Sequence, residues 1–127
     1  MRRVVIVVFV LIGIIAVSAF ARHRMSDARE RLSAYAQVIF AYIEKEDNPA
    51  IQDAVAALTK YWQREQMLLI LFVRHSEIDD LSRSVARLQS YAAFEEHADL
   101  HAELKTILWQ IDHLLKSEKL RVGTVLL

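Results

Sequence analysis

Apolar residues follow two rhythms along this chain. Residues 4 to 21, VVIVVFVLIGIIAVSAFA, form one unbroken block without a charge. Beyond it the rhythm becomes helical. In residues 26 to 46, Leu32, Tyr35, Ala36, Ile39, Tyr42 and Ile43 keep the three–four spacing of a single buried face. Ser26 or Asp27 can cap the start of this helix, and EKEDNP ends it. Asn48 can cap the next helix, with Pro49 at its first position, where the missing N–H costs nothing. No breaker follows until about Ala92, which would make a rod of roughly 66 Å at the standard rise. Ser76, three residues before Asp79, offers a capping box and a second start. The segment 49 to 92 is therefore one long helix or two joined near Arg74 to Ser76. A last helix runs from about Glu95 to Leu120, with Leu100, Leu104, Ile107, Leu108, Ile111, Leu114 and Leu115 as its stripe.

After Arg24 the chain holds one proline, Pro49, and one glycine, Gly123. A segment so poor in turn formers is helical by default. The expected class is all-α: one N-terminal transmembrane helix, then an antiparallel bundle of three or four helices. The divisions are an anchor over 1–24, a bundle over 25–120 and an apolar tail over 121–127. Residues 67 to 73, MLLILFV, are too few to span a bilayer and read as the deepest part of the bundle. No internal repeat or low-complexity stretch stands out.

As a helix, the uncharged block is roughly 27 Å long, close to the thickness of a bilayer core. Its length favours a retained signal-anchor, while Ala19-Phe20-Ala21 has the small-x-small form of a cleavage site. Arg22, Arg24, Arg29 and Arg31 outnumber Arg2 and Arg3, which by counting would keep the bundle in the cytoplasm. Entry behind a two-residue basic tip favours export. The expectation is a single-pass protein of the cell membrane with an extracytoplasmic bundle.

Sixteen basic and sixteen acidic residues balance among 127, so no strong field steers the chain toward nucleic acid. The lack of cysteine removes disulfides and thiol chemistry. No cofactor is implied.

The densest polar chemistry is LFVRHSEIDDL, residues 71 to 81. On a helix His75 and Asp79 are neighbours, on a strip with Leu68, Phe72, Ser82 and Ala86 beside the apolar strip Ile78, Leu81, Val85, Leu88 and Ala92. The leading expectation is a structural hydrogen bond between them inside the bundle; a binding hot spot and a general acid–base pair are the alternatives. No nucleophile or oxyanion set accompanies them, so the chain reads as non-enzymatic. HADLH sets His97 and His101 one turn apart, a spacing that can share zinc or copper if a third ligand such as Glu103 joins. There is no Glu-x-x-His signature of a di-iron bundle. His23 reads as interfacial and His113 as surface. Trp62 reads as packed between helices. Trp109 lies opposite the leucine stripe, so it marks a second contact surface or a helix buried on two sides.

The order of anchor, Trp62, Phe72, His75-x-Glu77-Ile78-Asp79 and a Glu103-Leu104 helix ending in Glu118-Lys119-Leu120 resembles a family of small single-pass membrane proteins. These come from Gram-positive, often spore-forming bacteria and form domain-of-unknown-function family 4363. Thr124 stands where members tend to carry an asparagine. The resemblance implies a membrane-attached helical domain and no particular reaction. It makes Trp62, Phe72, His75, Glu77 and Asp79 a polar signature, structural or binding. Together these readings describe a protein-interaction module that meets lipid through residues 4–21 and pairs with another membrane protein or with itself. The alternative is a metal-binding bundle using His97 and His101.

Overall fold

The computed structural model describes the backbone of residues 1–71 and 73–126, and the side chains of these residues up to Ser117. Four helices follow one another: α1 Arg2–Glu44, α2 Asn48–Leu69, α3 His75–Ala93 and α4 His97–Leu126.

The first helix does not restart at Ser26. Arg22, His23, Arg24 and Met25 contain no breaker, so the hydrogen-bond ladder passes through and α1 is one rod of roughly 65 Å. Its first buried residue is Met25. The half before it is long and apolar enough to cross a membrane, with none of its apolar window buried.

The second half of α1 packs with α2, α3 and α4 in an antiparallel square. Neighbouring helices run side by side around the ring, and among the described residues the backbones of the diagonal pairs α1–α3 and α2–α4 stand further apart. Each helix turns one stripe inward. Leu32, Ala36 and Ile39 of α1 meet Ile51, Val55, Leu58 and Trp62 of α2, Ile78, Leu81, Val85 and Leu88 of α3, and Leu100, Leu104, Ile107 and Ile111 of α4. Tyr35, Tyr42, Ile43 and Leu108 pack half-buried against this core. The fold expected from periodicity is the fold observed.

The segment 49 to 92 divides in two. Helix α2 stops at Leu69, and Arg74 is extended (φ −60°, ψ 135°) before α3 begins. A continuous helix would leave the Ile78–Ala92 stripe uncovered, whereas folding back buries it, and packing outweighs the broken ladder. The Ser76 capping box does not form, because Arg74 takes the cap position and supplies no side-chain bond. This turn also corrects the reading of residues 67 to 73. Leu69 and Val73 are buried, but Met67 and Leu71 are 72% and 73% exposed, because a reversing chain can aim only some of its side chains inward. Phe72 lies outside the described residues. The cap of α2 is Asp47, whose Oδ1 accepts from Ala50 N at 3.3 Å, rather than Asn48.

The two remaining connections are near copies. Glu46 N donates to Ile43 O and Asp47 N to Tyr42 O; Glu95 N donates to Ala92 O and Glu96 N to Tyr91 O. Both are Schellman endings with a left-handed residue, Glu46 at φ 55° and Glu95 at φ 57°. The buried positions repeat with the same offset: Leu32 and Leu81, Ala36 and Val85, Ile39 and Leu88, Ile51 and Leu100, Val55 and Leu104, Leu58 and Ile107. The bundle is thus two equivalent helical hairpins, a repeat carried by burial rather than residue identity. Helix α4 runs on through the segment read as a tail, to Leu126. The side chains of Glu118, Lys119, Leu120 and the tail lie outside the described residues.

Candidate functional site

The signature around His75 does not close into a buried pair. His75 is the first residue of α3, and both it and Asp79 are exposed, with no hydrogen bond between them. The expectation placed them mid-helix, flanked by Leu68 and Phe72 on the same strip. Helix α2 ends at Leu69 and α3 begins at His75, so Leu68 no longer shares its strip and His75 stands at a tip where α2 has already ended.

The polar lock lies one turn further on. Trp62 is buried, its Nε1 donates to Ser82 Oγ at 2.9 Å, and Ser82 donates in turn to Gln66 Oε1 at 2.6 Å. This chain fixes the register of α2 against α3. Trp62 is therefore a packing residue, as its place before the apolar run implies.

The metal candidates face three different helices. His97 Nε2 donates to Asn48 Oδ1 at 2.7 Å and joins the two distal connections. The His101 ring packs on Phe40 of α1, centroids 4.7 Å apart. Glu103 holds Arg87 of α3 at 2.8 Å, a bond that raises the arginine pKa further. Among the described residues no three histidine or acidic side chains come together as a metal site.

A buried polar cluster escapes the stripe pattern. Glu65 is only 6% exposed and its Oε1 has no hydrogen-bond partner; Arg24 Nη2 stands 3.4 Å away. The Tyr61 hydroxyl is also unpartnered, and burial, then the Glu65 carboxylate, pushes its pKa up. The signal was present: Glu65 is three residues after Trp62 and four before Leu69, on the inward face.

The surface that combines the signature with open space is the cleft between α3 and α4. Glu77, Asp80 and Leu81 line one side, Trp109, Gln110 and His113 the other, around about 320 Å³. Trp109 is 65% exposed and lies parallel to His113, rings 5.1 Å apart at 5°. Of the described signature residues only Glu77 lines this cleft, and it has no ion-pair partner among the described side chains. A larger groove of about 640 Å³ crosses α1 and α2 over Ala34, Ala50, Ala54 and Ala57, rimmed by Tyr35 and Tyr42.

An apolar helical rod continuous with a four-helix bundle, carrying an acidic and aromatic cleft, defines the class of protein. Within that class the chain belongs to the family described as domain of unknown function DUF4363, whose family model matches residues 19–125. No curated protein and no solved structure matches it.

Proposed function

We propose that the protein is a membrane-anchored, non-enzymatic helical module that binds another membrane protein through the α3–α4 cleft. The observation that carries this reading is Trp109, a large aromatic held in the open at 65% exposure and stiffened by stacking on His113. Exposed, pre-ordered aromatics beside a cleft are the usual anchors of binding surfaces. Across from it Glu77 has no ion-pair partner among the described side chains, whereas Asp80 is paired with Arg83 at 3.3 Å, so Glu77 is the open acidic group of the cleft. The matching partner is a segment carrying arginine or lysine, whose cation sits between the indole face and the Glu77 carboxylate.

The unburied apolar half of α1 supports anchoring, and Arg2 and Arg3 ahead of it support export of the bundle. Affinity capture of the full-length chain from detergent extracts tests the reading. A membrane protein recovered with the natural sequence and lost with Trp109→Ala, at unchanged melting, supports it. A strictly monomeric chain with no partner contradicts it. Protease added to cells stripped of their wall should digest the bundle; full protection reverses the orientation.

A further inference from the structure

The bundle has two unlike ends. The α1–α2 and α3–α4 connections occupy the end away from the apolar rod, tied by His97 and Asn48. The α2–α3 connection occupies the end from which the rod emerges. Its height follows from the antiparallel packing of α1 and α2, in which Tyr61 meets Arg31 and Tyr35. Each step beyond Tyr61 along α2 runs beside a step back along α1. Leu68 therefore stands near Arg24, and the turn after Leu69 near Ala21 and Arg22, where the uncharged block 4–21 ends.

At this height the bundle exposes three large apolar side chains on one short connection. Met67 is 72%, Leu71 73% and Leu68 39% exposed. A belt of cations surrounds them: exposed Arg22, Arg64 and Arg74, with half-buried Arg24. Half-buried Glu77 and exposed Asp79 and Asp80 follow on the first turns of α3, while the opposite end exposes Glu44, Glu46, Asp47, Glu95, Glu96 and Asp99 with Lys45. Apolar tips ringed by arginines suit the boundary between acyl chains and phosphates, where the guanidinium reaches the headgroups.

We propose that the α2–α3 connection is a second membrane contact, with Met67, Leu68 and Leu71 seated in the interface of the bilayer that α1 crosses. This rests on the anchored reading above. The occupant is lipid rather than a second protein because α1 enters the bundle as one unbroken helix, with no linker to let this tip leave the bilayer surface. Two attachment points, rod and tip, stop the bundle from tilting or rotating. The acidic cleft, which begins at Glu77 just above the tip, is then held close to the membrane, facing sideways.

The chain has no cysteine, so single cysteines report cleanly. Spin labels at Leu71→Cys, Val10→Cys and Phe94→Cys, in full-length protein reconstituted into phosphatidylcholine–phosphatidylglycerol vesicles, compare collisions with oxygen and with an aqueous nickel chelate. Phe94 is as exposed as Leu71, 73%, but sits at the far end. Oxygen should dominate at Leu71 and Val10, and nickel at Phe94. Nickel-dominated relaxation at Leu71 with Val10 still lipid-buried overturns the second contact and leaves the anchor standing. An aqueous Val10 overturns both. Spin–spin broadening at Leu71 would mean that a second copy covers the tip, and also overturns the proposal.

Discussion

Nε1 of Trp62 and Oγ of Ser82 lie 2.9 Å apart, and this bond clamps the last turns of α2 to the first turns of α3. Ser82 serves two partners at once, accepting from the indole and donating to Gln66 at 2.6 Å. Removing it strands both. Ser82→Ala should cost about 1 to 3 kcal/mol, and Trp62→Ala about 3 to 5 kcal/mol through the cavity it opens. Denaturant unfolding in mild detergent, followed by circular dichroism, measures both.

His75 makes the contrasting prediction. It is exposed at the helix start and bonded to nothing that its loss would strand. His75→Ala should change stability by no more than about 0.5 kcal/mol. A loss above 1.5 kcal/mol, on the order of a full buried hydrogen bond, would mean that the ring is packed inside after all.

The twin Schellman endings carry a glutamate where glycine is the low-strain choice. Left-handed backbone costs an L-residue roughly 1 to 2 kcal/mol, part of which glycine returns through its looser unfolded chain. Glu46→Gly and Glu95→Gly should each stabilise the bundle by about 0.5 to 1 kcal/mol, and the two gains should add. A loss from either substitution would show that the glutamate side chain has a role at the distal end.

Arg24 and Glu65 form the most buried ion pair among the described residues, with side chains 28% and 8% exposed. The contact is long, and Glu65 Oε1 is unsatisfied, so the pair does not recover its full desolvation cost. Arg24→Met should destabilise by about 2 to 4 kcal/mol by leaving the carboxylate alone. Adding Glu65→Leu should restore most of that loss. If the double variant is as weak as the single one, the pair itself stabilises the fold.

The sequence carries the stripes in full, because Leu32, Ile78, Leu104 and their companions recur at helical period, and each stripe has one way to face inward. It conceals what depends on where a helix ends. His75 moved from core edge to exposed tip because the ladder breaks at 70–74, inside an apolar run whose composition permits either outcome. The hairpin repeat stays hidden because equivalent positions differ in chemistry, Trp62 matching Ile111 and Glu65 matching Leu114. Glu65 shows its inward face in the spacing, but only Arg24 across the interface explains how a carboxylate is kept there. Trp109 was legible: an aromatic opposite the leucine stripe of its own helix, left in the open by a bundle that covers only one face of α4.

The cleft beside Trp109 should meet another membrane protein. A photoreactive benzoylphenylalanine in place of Trp109, activated by light in intact cells, tests it most directly, with the same probe at exposed Gln52 on α2 as control. The account predicts one discrete adduct with a membrane protein at position 109, absent at position 52 and abolished when Glu77→Lys reverses the charge of the open acidic group. Adducts with lipid alone, or the same pattern at both positions, would contradict it.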